Sequence, residues 1–285
     1  MSTVLHRICV IGAGTMGHGI AQVSAMYGFD VVLLDATREL AERGSEQLRQ
    51  NLEEGVKRQK VTAAARDDAL ARITIGADPA LAAQAGLVIE AVPEKLELKQ
   101  QIYREVEPRL APSAILATNT SSLSITDLQA PLRHPERFIG VHFFNPVHIN
   151  RLVEVIYGAH TAQATTEAAV EFVRRIDKEP VVVKDSPGFA TSRLGVLLGL
   201  EAMRMVEEGV ASAEDIDRAL ELGYRHPMGP LKLTDLVGLD VRLDIARYLY
   251  AKLGAEHFRP PAILERMVAE GKLGKKSGQG FYTWS

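Results

Sequence analysis

In its first two-thirds the chain alternates short, unbroken apolar runs with longer amphipathic stretches. The runs are ICVIG (8–12), VVLLD (31–35), LVIEAV (87–92) and ILATNT (115–120). Each has the length of a strand and lacks the apolar/polar alternation of a half-exposed one. Such strands are expected to be covered on both faces, as in a parallel sheet. Helical periodicity fills the segments between them, among them 15–27, 38–60 and 94–106. Strand and helix in regular succession predict a doubly wound α/β sheet. FIGVHFF, RLVEVI and VVVKD carry the strand pattern on to about Asp185.

Beyond Asp185 the strand pattern stops and apolar residues recur at helical spacing. Asp185-Ser186-Pro187 has the form of a helix start, a capping side chain followed by an early proline. From there a mostly apolar helix is expected to run to Gly209. AEDIDRALEL, LTDLVGLDVRLDIARYLYAKL and PAILERMVAEG are the helices expected after it. The pattern divides the chain into a sheet domain, 1–185, and an all-helical C-terminal domain, 186–285.

Composition narrows the classes of function. With 285 residues, 46% apolar and 24% charged, the chain has the make-up of an ordinary globular protein. A net charge of -3 offers no general attraction for nucleic acid or an acidic membrane. An anionic ligand would have to be met by a local cluster of cations or by backbone N–H groups. One cysteine, Cys9, cannot form an internal disulfide, which fits a reducing compartment. No basic leader with an apolar stretch behind it and no membrane-length apolar run is visible. A cytoplasmic setting is expected, with no nucleic-acid or membrane partner, no metal site and no room for a separate hydratase domain.

Gly12-Ala13-Gly14-Thr15-Met16-Gly17 is G-x-G-x-x-G. It closes an expected strand and opens an expected helix, the context that gives this weak motif its meaning. Gly12 permits the tight turn, Gly14 lets backbone approach a pyrophosphate, and Gly17 allows close helix–strand packing. Thr15 and Met16 begin the helix whose N-terminal N–H groups face the phosphates. Asp35 ends the second expected strand, where a carboxylate binds ribose hydroxyls and repels a 2′-phosphate. The expected fold is therefore a Rossmann-type doubly wound sheet that binds NAD in preference to NADP.

The stretch GVHFFNPVHINRLVEV (140–155) places two histidines and a glutamate among apolar residues. Asn145-Pro146 reads as a strand end, since proline cannot join a ladder. A chain that runs out along FIGVHFF and returns along RLVEVI brings His142 and Glu154 together. A carboxylate beside imidazole fixes its tautomer, and such a pair takes a proton from an alcohol as hydride leaves. His148, in the connection, is expected at the surface.

IGAGTMG, VIEAVPE, ATNTSSLSIT, GVHFFNPV, RLVEVI, KDSPGF, HPMGP and GKKSGQGFY span the chain nearly end to end. In order and spacing they resemble the L-3-hydroxyacyl-CoA dehydrogenase family in its stand-alone short-chain form. The resemblance implies His142 as catalytic base, Glu154 as its acidic partner and Ser121 as hydrogen-bond donor to the substrate's 3-oxygen. It implies Asn145 as a positioning residue, and Glu94, Lys99 and Lys276 as cofactor contacts. Asn51 and Arg58 fall in the region that contacts coenzyme A, although the family has serine and lysine there. Ser192 stands where many members carry an asparagine that approaches the substrate, so a direct contact is expected to become water-mediated.

The function implied is reversible, NAD-dependent oxidation of an (S)-3-hydroxyacyl-CoA, with 3-hydroxybutyryl-CoA the expected substrate. Fatty-acid β-oxidation, butanoate metabolism and aromatic degradation all need this step. A homodimer through the apolar helices after Pro187 is expected as well. The alternatives are a two-domain dehydrogenase of a free hydroxy or sugar acid, using a lysine such as Lys184, and a non-catalytic NAD-binding protein.

Overall fold

Eight strands form one sheet in the order β3-β2-β1-β4-β5-β6-β7-β8. The structure, a computed structural model, describes residues 5–284. It divides into two compact units, Met1–Asp185 and Ser186–Ser285. In the first, the strands are β1 (Arg7–Ile11), β2 (Asp30–Leu34), β3 (Ile73–Gly76), β4 (Leu87–Glu90), β5 (Ile115–Thr118), β6 (Phe138–Phe143), β7 (Leu152–Tyr157) and β8 (Glu179–Lys184). The helices are α1 (Thr15–Met26), α2 (Arg38–Lys57), α3 (Ala63–Ala71), α4 (Leu96–Val106), α5 (Ile125–Gln129) and α6 (Gln163–Arg175).

β1 lies between β2 and β4, and β1 to β6 pair in parallel. The strand order reverses beside β1, which makes the carboxyl end of β1 the place where a doubly wound sheet opens a crevice. The four central strands are buried along nearly their whole length, as unbroken apolar runs require. α1 buries nine consecutive residues, from Gly17 to Ala25, and Phe29 meets Phe172 of α6 edge to face at 5.5 Å.

β7 runs against β6, and β8 runs parallel to β7. β8 is an edge, not a strand covered on both faces: Val181 and Val182 are 43% and 51% exposed. β3, α3 and α6 join the expected elements. β3 is half-exposed and short, and so lacks the apolar signal of its neighbours.

The second unit holds α7 (Thr191–Glu207), α8 (Ala213–Gly223), α9 (Pro230–Val237), α10 (Leu239–Leu253) and α11 (Ala262–Ala269) around an apolar core. Two helix boundaries differ from the sequence pattern. The helix expected from Asp185 begins at Thr191, because Gly188 (φ +75°) and Phe189 (φ +48°) make a left-handed turn first. Asp185 instead accepts from the Ser124 hydroxyl and the Thr126 N–H, capping α5. The long helix expected over LTDLVGLDVRLDIARYLYAKL is two helices, α9 and α10, broken at Gly238 (φ +104°). Among the described residues, no helix is long and apolar enough to cross a membrane.

The single cysteine sits in the middle of β1 with no exposed surface, and burial pushes its thiol up to about 12. Thiolate, not thiol, reacts. Cys9 is therefore expected to resist a disulfide reagent at neutral pH in the native protein and to react fully in denaturant. Rapid labelling without denaturant would contradict this placement.

Candidate active site

The glycine turn follows β1. Gly12 has φ +99°, and a side chain there would begin 2.7 Å from the Ala91 carbonyl oxygen. At Gly17 it would begin 1.6 Å from the Gly12 carbonyl oxygen. Nothing stands within 4 Å of the corresponding point at Gly14, which leaves backbone open to a ligand. α1 has no side-chain cap and no acid in its first turn, so its N–H groups and positive end face outward uncompensated. The exposed Thr15 and half-buried Met16 lie in that turn.

Asp35 ties this turn to the end of β2. Its Oδ2 accepts from the Ala13 N–H and its Oδ1 from the Ala36 N–H, each at 2.7 Å. It lines a cleft of about 370 Å³ together with Gly12, Ala36, Leu98 and Ile102. Each carboxylate oxygen keeps a lone pair for a ribose hydroxyl, and apolar walls beside it suit an adenine ring. Open backbone at Gly14, an uncapped helix start and a carboxylate at the β2 end together fit NAD.

β6 and β7 supply the second element. Their antiparallel register sets His142 directly opposite Glu154. Cross-strand partners share a face of the sheet, so both side chains project to the same side. His142 Nδ1 lies 2.9 Å from Glu154 Oε2, with side chains 9% and 0% exposed. With a carboxylate at Nδ1, that nitrogen carries the proton, and Nε2 carries the lone pair of a base. The Phe144 ring packs against the imidazole at 4.4 Å between centroids.

A polar network that the motifs only hinted at joins the ends of β4 and β5 to α4. Glu90, at the end of β4, has no exposed surface. Its Oε1 accepts from the Val92 N–H and Lys99 Nζ, and its Oε2 from the Tyr103 and Thr118 hydroxyls. Lys99, only 1% exposed, also reaches Glu94 Oε2 at 3.4 Å. Glu94 Oε1 in turn accepts from the N–H and hydroxyl groups of both Ser121 and Ser122, and from the Thr120 hydroxyl. The Lys99 ammonium is thus spent inside the protein, holding Glu90 and Glu94, and does not stand at the surface as a cofactor contact. Asn119 Oδ1 accepts from the Phe143 N–H, pinning β6 one residue past His142. Glu90 and Asn119 escaped notice in the sequence, although an acid inside the apolar run LVIEAV was a signal.

Asn145 is exposed at the end of β6, in a cis peptide bond to Pro146, and its carbonyl accepts from Asn150. Lys178 Nζ donates to the carbonyls of Val147 and Asn150 and so holds the same connection. His148 is exposed, as expected. Asn51 and Arg58 line one cleft of about 610 Å³, along with Lys60, His148, Arg151 and Lys178. Arg58 is also paired with Glu54 at 2.7 Å. In the helical unit, Ser192 is half-buried in the first turn of α7, and Lys276 Nζ pairs with Asp240 Oδ2 at 2.5 Å. Among the described residues no group of His, Cys, Asp and Glu is arranged to hold a metal ion.

A Rossmann-type sheet, its glycine turn and a carboxylate at the β2 end are the marks of an NAD-dependent oxidoreductase. Comparison with known proteins makes the identity narrower. The family models described as 3-hydroxyacyl-CoA dehydrogenase, NAD binding domain, and 3-hydroxyacyl-CoA dehydrogenase, C-terminal domain, match residues 7–186 and 188–284. The chain belongs to the 3-hydroxyacyl-CoA dehydrogenase family. It is 43% identical over 284 residues to a 3-hydroxybutyryl-CoA dehydrogenase of Bradyrhizobium diazoefficiens, covering 100% of this chain and 97% of that one. A 3-hydroxybutyryl-CoA dehydrogenase of Mycobacterium tuberculosis is 42% identical over 286 residues, covering 100% of each. The crystal structure of (S)-3-hydroxybutyryl-CoA dehydrogenase from Ralstonia eutropha superposes with a TM-score of 0.95 at 39% identity, over 99% of each chain.

Lys99→Met leaves the Glu90 carboxylate buried without its cation, and unfolding by urea is expected to show a loss of about 3–5 kcal/mol. Removing both charges, in Glu90→Gln with Lys99→Met, is expected to cost less than Lys99→Met alone. A loss under about 1 kcal/mol for Lys99→Met would show that the pair carries no such weight.

Burial raises the Glu94 carboxyl, but Lys99 and the hydroxyl and N–H donors of Thr120, Ser121 and Ser122 outweigh it and hold it below its ordinary value. A depressed folded-state value stabilises the fold above the unfolded value of about 4.3 and ceases to do so as pH falls through the folded one. The stability difference between wild type and Glu94→Gln is therefore expected to be full near neutral pH and to shrink below about pH 4. A difference that stays constant through that range would remove the electrostatic assignment.

Proposed function

We propose that the chain catalyses reversible oxidation of an (S)-3-hydroxyacyl-CoA to the 3-oxoacyl-CoA with NAD, 3-hydroxybutyryl-CoA being the short-chain case. The observation that carries this reading is the buried His142–Glu154 pair, 2.9 Å apart, in the same unit as the glycine turn. Gly12, Gly14, Thr15, Met16 and Gly17 hold the cofactor's pyrophosphate, Asp35 its adenosine ribose, and Glu94 approaches it from the other side of the crevice. When bound, NAD supplies the hydride acceptor. His142 Nε2 takes the proton of the 3-hydroxyl as its C–O bond becomes a carbonyl, and Glu154 balances the imidazolium charge. With substrate bound, the Ser121 hydroxyl turns its one proton from Glu94 to the developing carbonyl oxygen, while its N–H stays on Glu94. Lys99 acts one step away, by fixing Glu94. Asn145 positions the substrate beside the base, and Ser192 and Lys276 carry the substrate- and cofactor-contacting roles that membership of the family implies.

The cleft that gathers Asn51, Arg58, Lys60, His148, Arg151 and Lys178 supports a coenzyme A handle, whose phosphates need cations. Binding energy from that distant handle serves the reacting end by fixing its geometry. The same reading includes a homodimer, supported by apolar side chains that the helical unit leaves at the surface: Leu194, Leu198, Leu233, Leu236, Val237 and Val241 are each at least 40% exposed. It also includes a cytoplasmic setting, in keeping with a lone thiol buried in β1. β-Oxidation is one sequence of reactions that needs this step.

NADH oxidation is expected with acetoacetyl-CoA and not with free acetoacetate; equal rates on both would remove the coenzyme A assignment and favour the free-acid alternative. His142→Gln is expected to lower kcat by about 10²–10⁴ while NADH binding, followed by fluorescence, persists. Unchanged turnover in that variant would rule out the mechanism.

A further inference from the structure

Of the cations that line the cleft of about 610 Å³, only Lys178 is buried, at 7% exposed; Arg58, Lys60, His148 and Arg151 stand in solvent. Its Nζ donates to the Val147 and Asn150 carbonyls, each at 2.6 Å, and its third N–H has no partner among the described residues. Burial pulls the ammonium below its ordinary value, with Asp177 pushing back and Arg151 adding to the fall. A cation so placed gains from any anion that enters the cleft. Gln22, on α1, lines the same cleft at 3% exposed, and its Oε1 also lacks a partner. Buried polar groups left unfilled on two separate segments mark a cleft built for a ligand.

The two carbonyls that Lys178 holds belong to the connection between β6 and β7, and a chain of contacts runs from there to the base. Asn150 donates through Nδ2 to the carbonyls of Asn145 at 2.7 Å and Phe144 at 3.4 Å. The Phe144 ring in turn packs on the His142 imidazole. The path from cleft to base is thus Lys178, Asn150, Phe144 and His142, all within the first unit. On its other side the connection has little slack, because a side chain at Gly19 of α1 would begin 2.9 Å from Val147. Arg58 has no such link. It pairs with Glu54 on α2, so a phosphate held there adds affinity without reaching the base.

We propose that Lys178 is a positioning residue that couples the anionic handle of the substrate to the catalytic base. A phosphate oxygen on its third N–H pins the ammonium over the Val147 and Asn150 carbonyls. The pinned connection then holds Phe144, and through it His142, in the geometry for proton transfer. This rests on the function proposed above, in which the cleft takes the phosphates of coenzyme A. Part of the handle's binding energy appears as turnover and not as affinity. In this scheme neither Lys178 nor Asn150 takes part in the proton or hydride transfer.

The test compares kcat and KM of the full chain, with NADH, on acetoacetyl-CoA and on acetoacetyl-pantetheine, which keeps the thioester and lacks the phosphates. Wild type is expected to favour the CoA ester in kcat by about ten- to a hundredfold, the effect of one charge-assisted contact. In Lys178→Met that ratio is expected to fall toward one. A merely structural lysine would lower both rates by the same factor and leave the ratio as it was, and that result overturns the proposal. So does a rise in KM for the CoA ester with the kcat ratio unchanged, which would make Lys178 a simple phosphate contact. Asn150→Ala is the second variant, since Asn150 lies in the relay but does not line the cleft. It is expected to lower the kcat ratio with KM for the CoA ester unchanged; an unaltered ratio overturns the relay. Equal kcat on the two esters in wild type, with a higher KM for the pantetheine ester, sinks the coupling alone. Equal kcat and equal KM would also remove the phosphates from the cleft, and with them the coenzyme A assignment.

Discussion

A carboxylate with no exposed surface faces an imidazole across two antiparallel strands, and the rest of the first unit is arranged to keep it there. Burying Glu154 costs several kcal/mol of lost hydration, and the 2.9 Å hydrogen bond to His142 helps offset it only when the register holds. A slip of one residue between β6 and β7 would turn Glu154 to the opposite face and leave the charge stranded. Two features outside the pair resist that slip. Asn119, from the loop after β5, accepts the Phe143 N–H, and Lys178 clamps the connection through the Val147 and Asn150 carbonyls. Stability alone would favour an apolar pair here. The ionisable pair makes sense as chemistry.

The same logic governs the carboxyl ends of the central strands. Gly12 follows β1, Asp35 follows β2, Glu90 ends β4, and Thr118 ends β5. In a parallel sheet these ends lie side by side, which is why residues far apart in sequence form one polar layer. Glu90 ties the ends of β4 and β5 to α4: four donors, from Val92, Lys99, Tyr103 and Thr118, converge on its two oxygens. Lys99 passes that constraint to Glu94, and Glu94 passes it to the backbone and hydroxyls of Ser121 and Ser122. A loop held only by its own backbone would let these hydroxyls wander, and the bonds to Glu94 prevent that.

What was legible in the sequence followed the strength of local pattern. Runs such as ICVIG and VVLLD have no polar alternation, so their burial could be read directly, and the glycine spacing with Asp35 placed the nucleotide turn. β3 was missed because ITIG is short and half-exposed. VVVKD has the composition of a buried strand yet forms the sheet's exposed edge, since nothing in a strand's own residues states whether a neighbour will cover it. The break at Gly238 was hidden by apolar residues that keep helical spacing across it, and the turn at Gly188 and Phe189 by a plausible cap at Asp185. His142 and Glu154 could be joined because the proline between them forced a reversal. The partners of Glu90 reach to Thr118, twenty-eight positions further along the chain, and no local rule assembles them.

Buried polar groups in the helical unit show a marked asymmetry between acids and the one cation. Asp235 accepts from the Phe281 and Tyr282 N–H groups and from Trp284 Nε1, which is how the glycine-rich tail is fixed as firmly as its aromatic rings would fix it. Asp217 accepts from the Leu231 and Lys232 N–H groups and from the Tyr282 hydroxyl, capping α9. Each acid is satisfied by three donors, two of them backbone, so neither is available to neutralise a guanidinium. A fold under no other demand would place an acid near Arg242 or exchange the arginine for an apolar residue of similar volume, since either change relieves a buried charge. Neither has occurred, although Asp217 and Asp235 in the same unit are fully provided for. Poor packing is an inadequate reason, because the neighbouring core side chains Leu239, Leu243 and Ala246 of the same helix are buried in ordinary contact. Among the described residues the Arg242 Nε is left without a hydrogen-bond partner, and burial lowers the guanidinium to about 10.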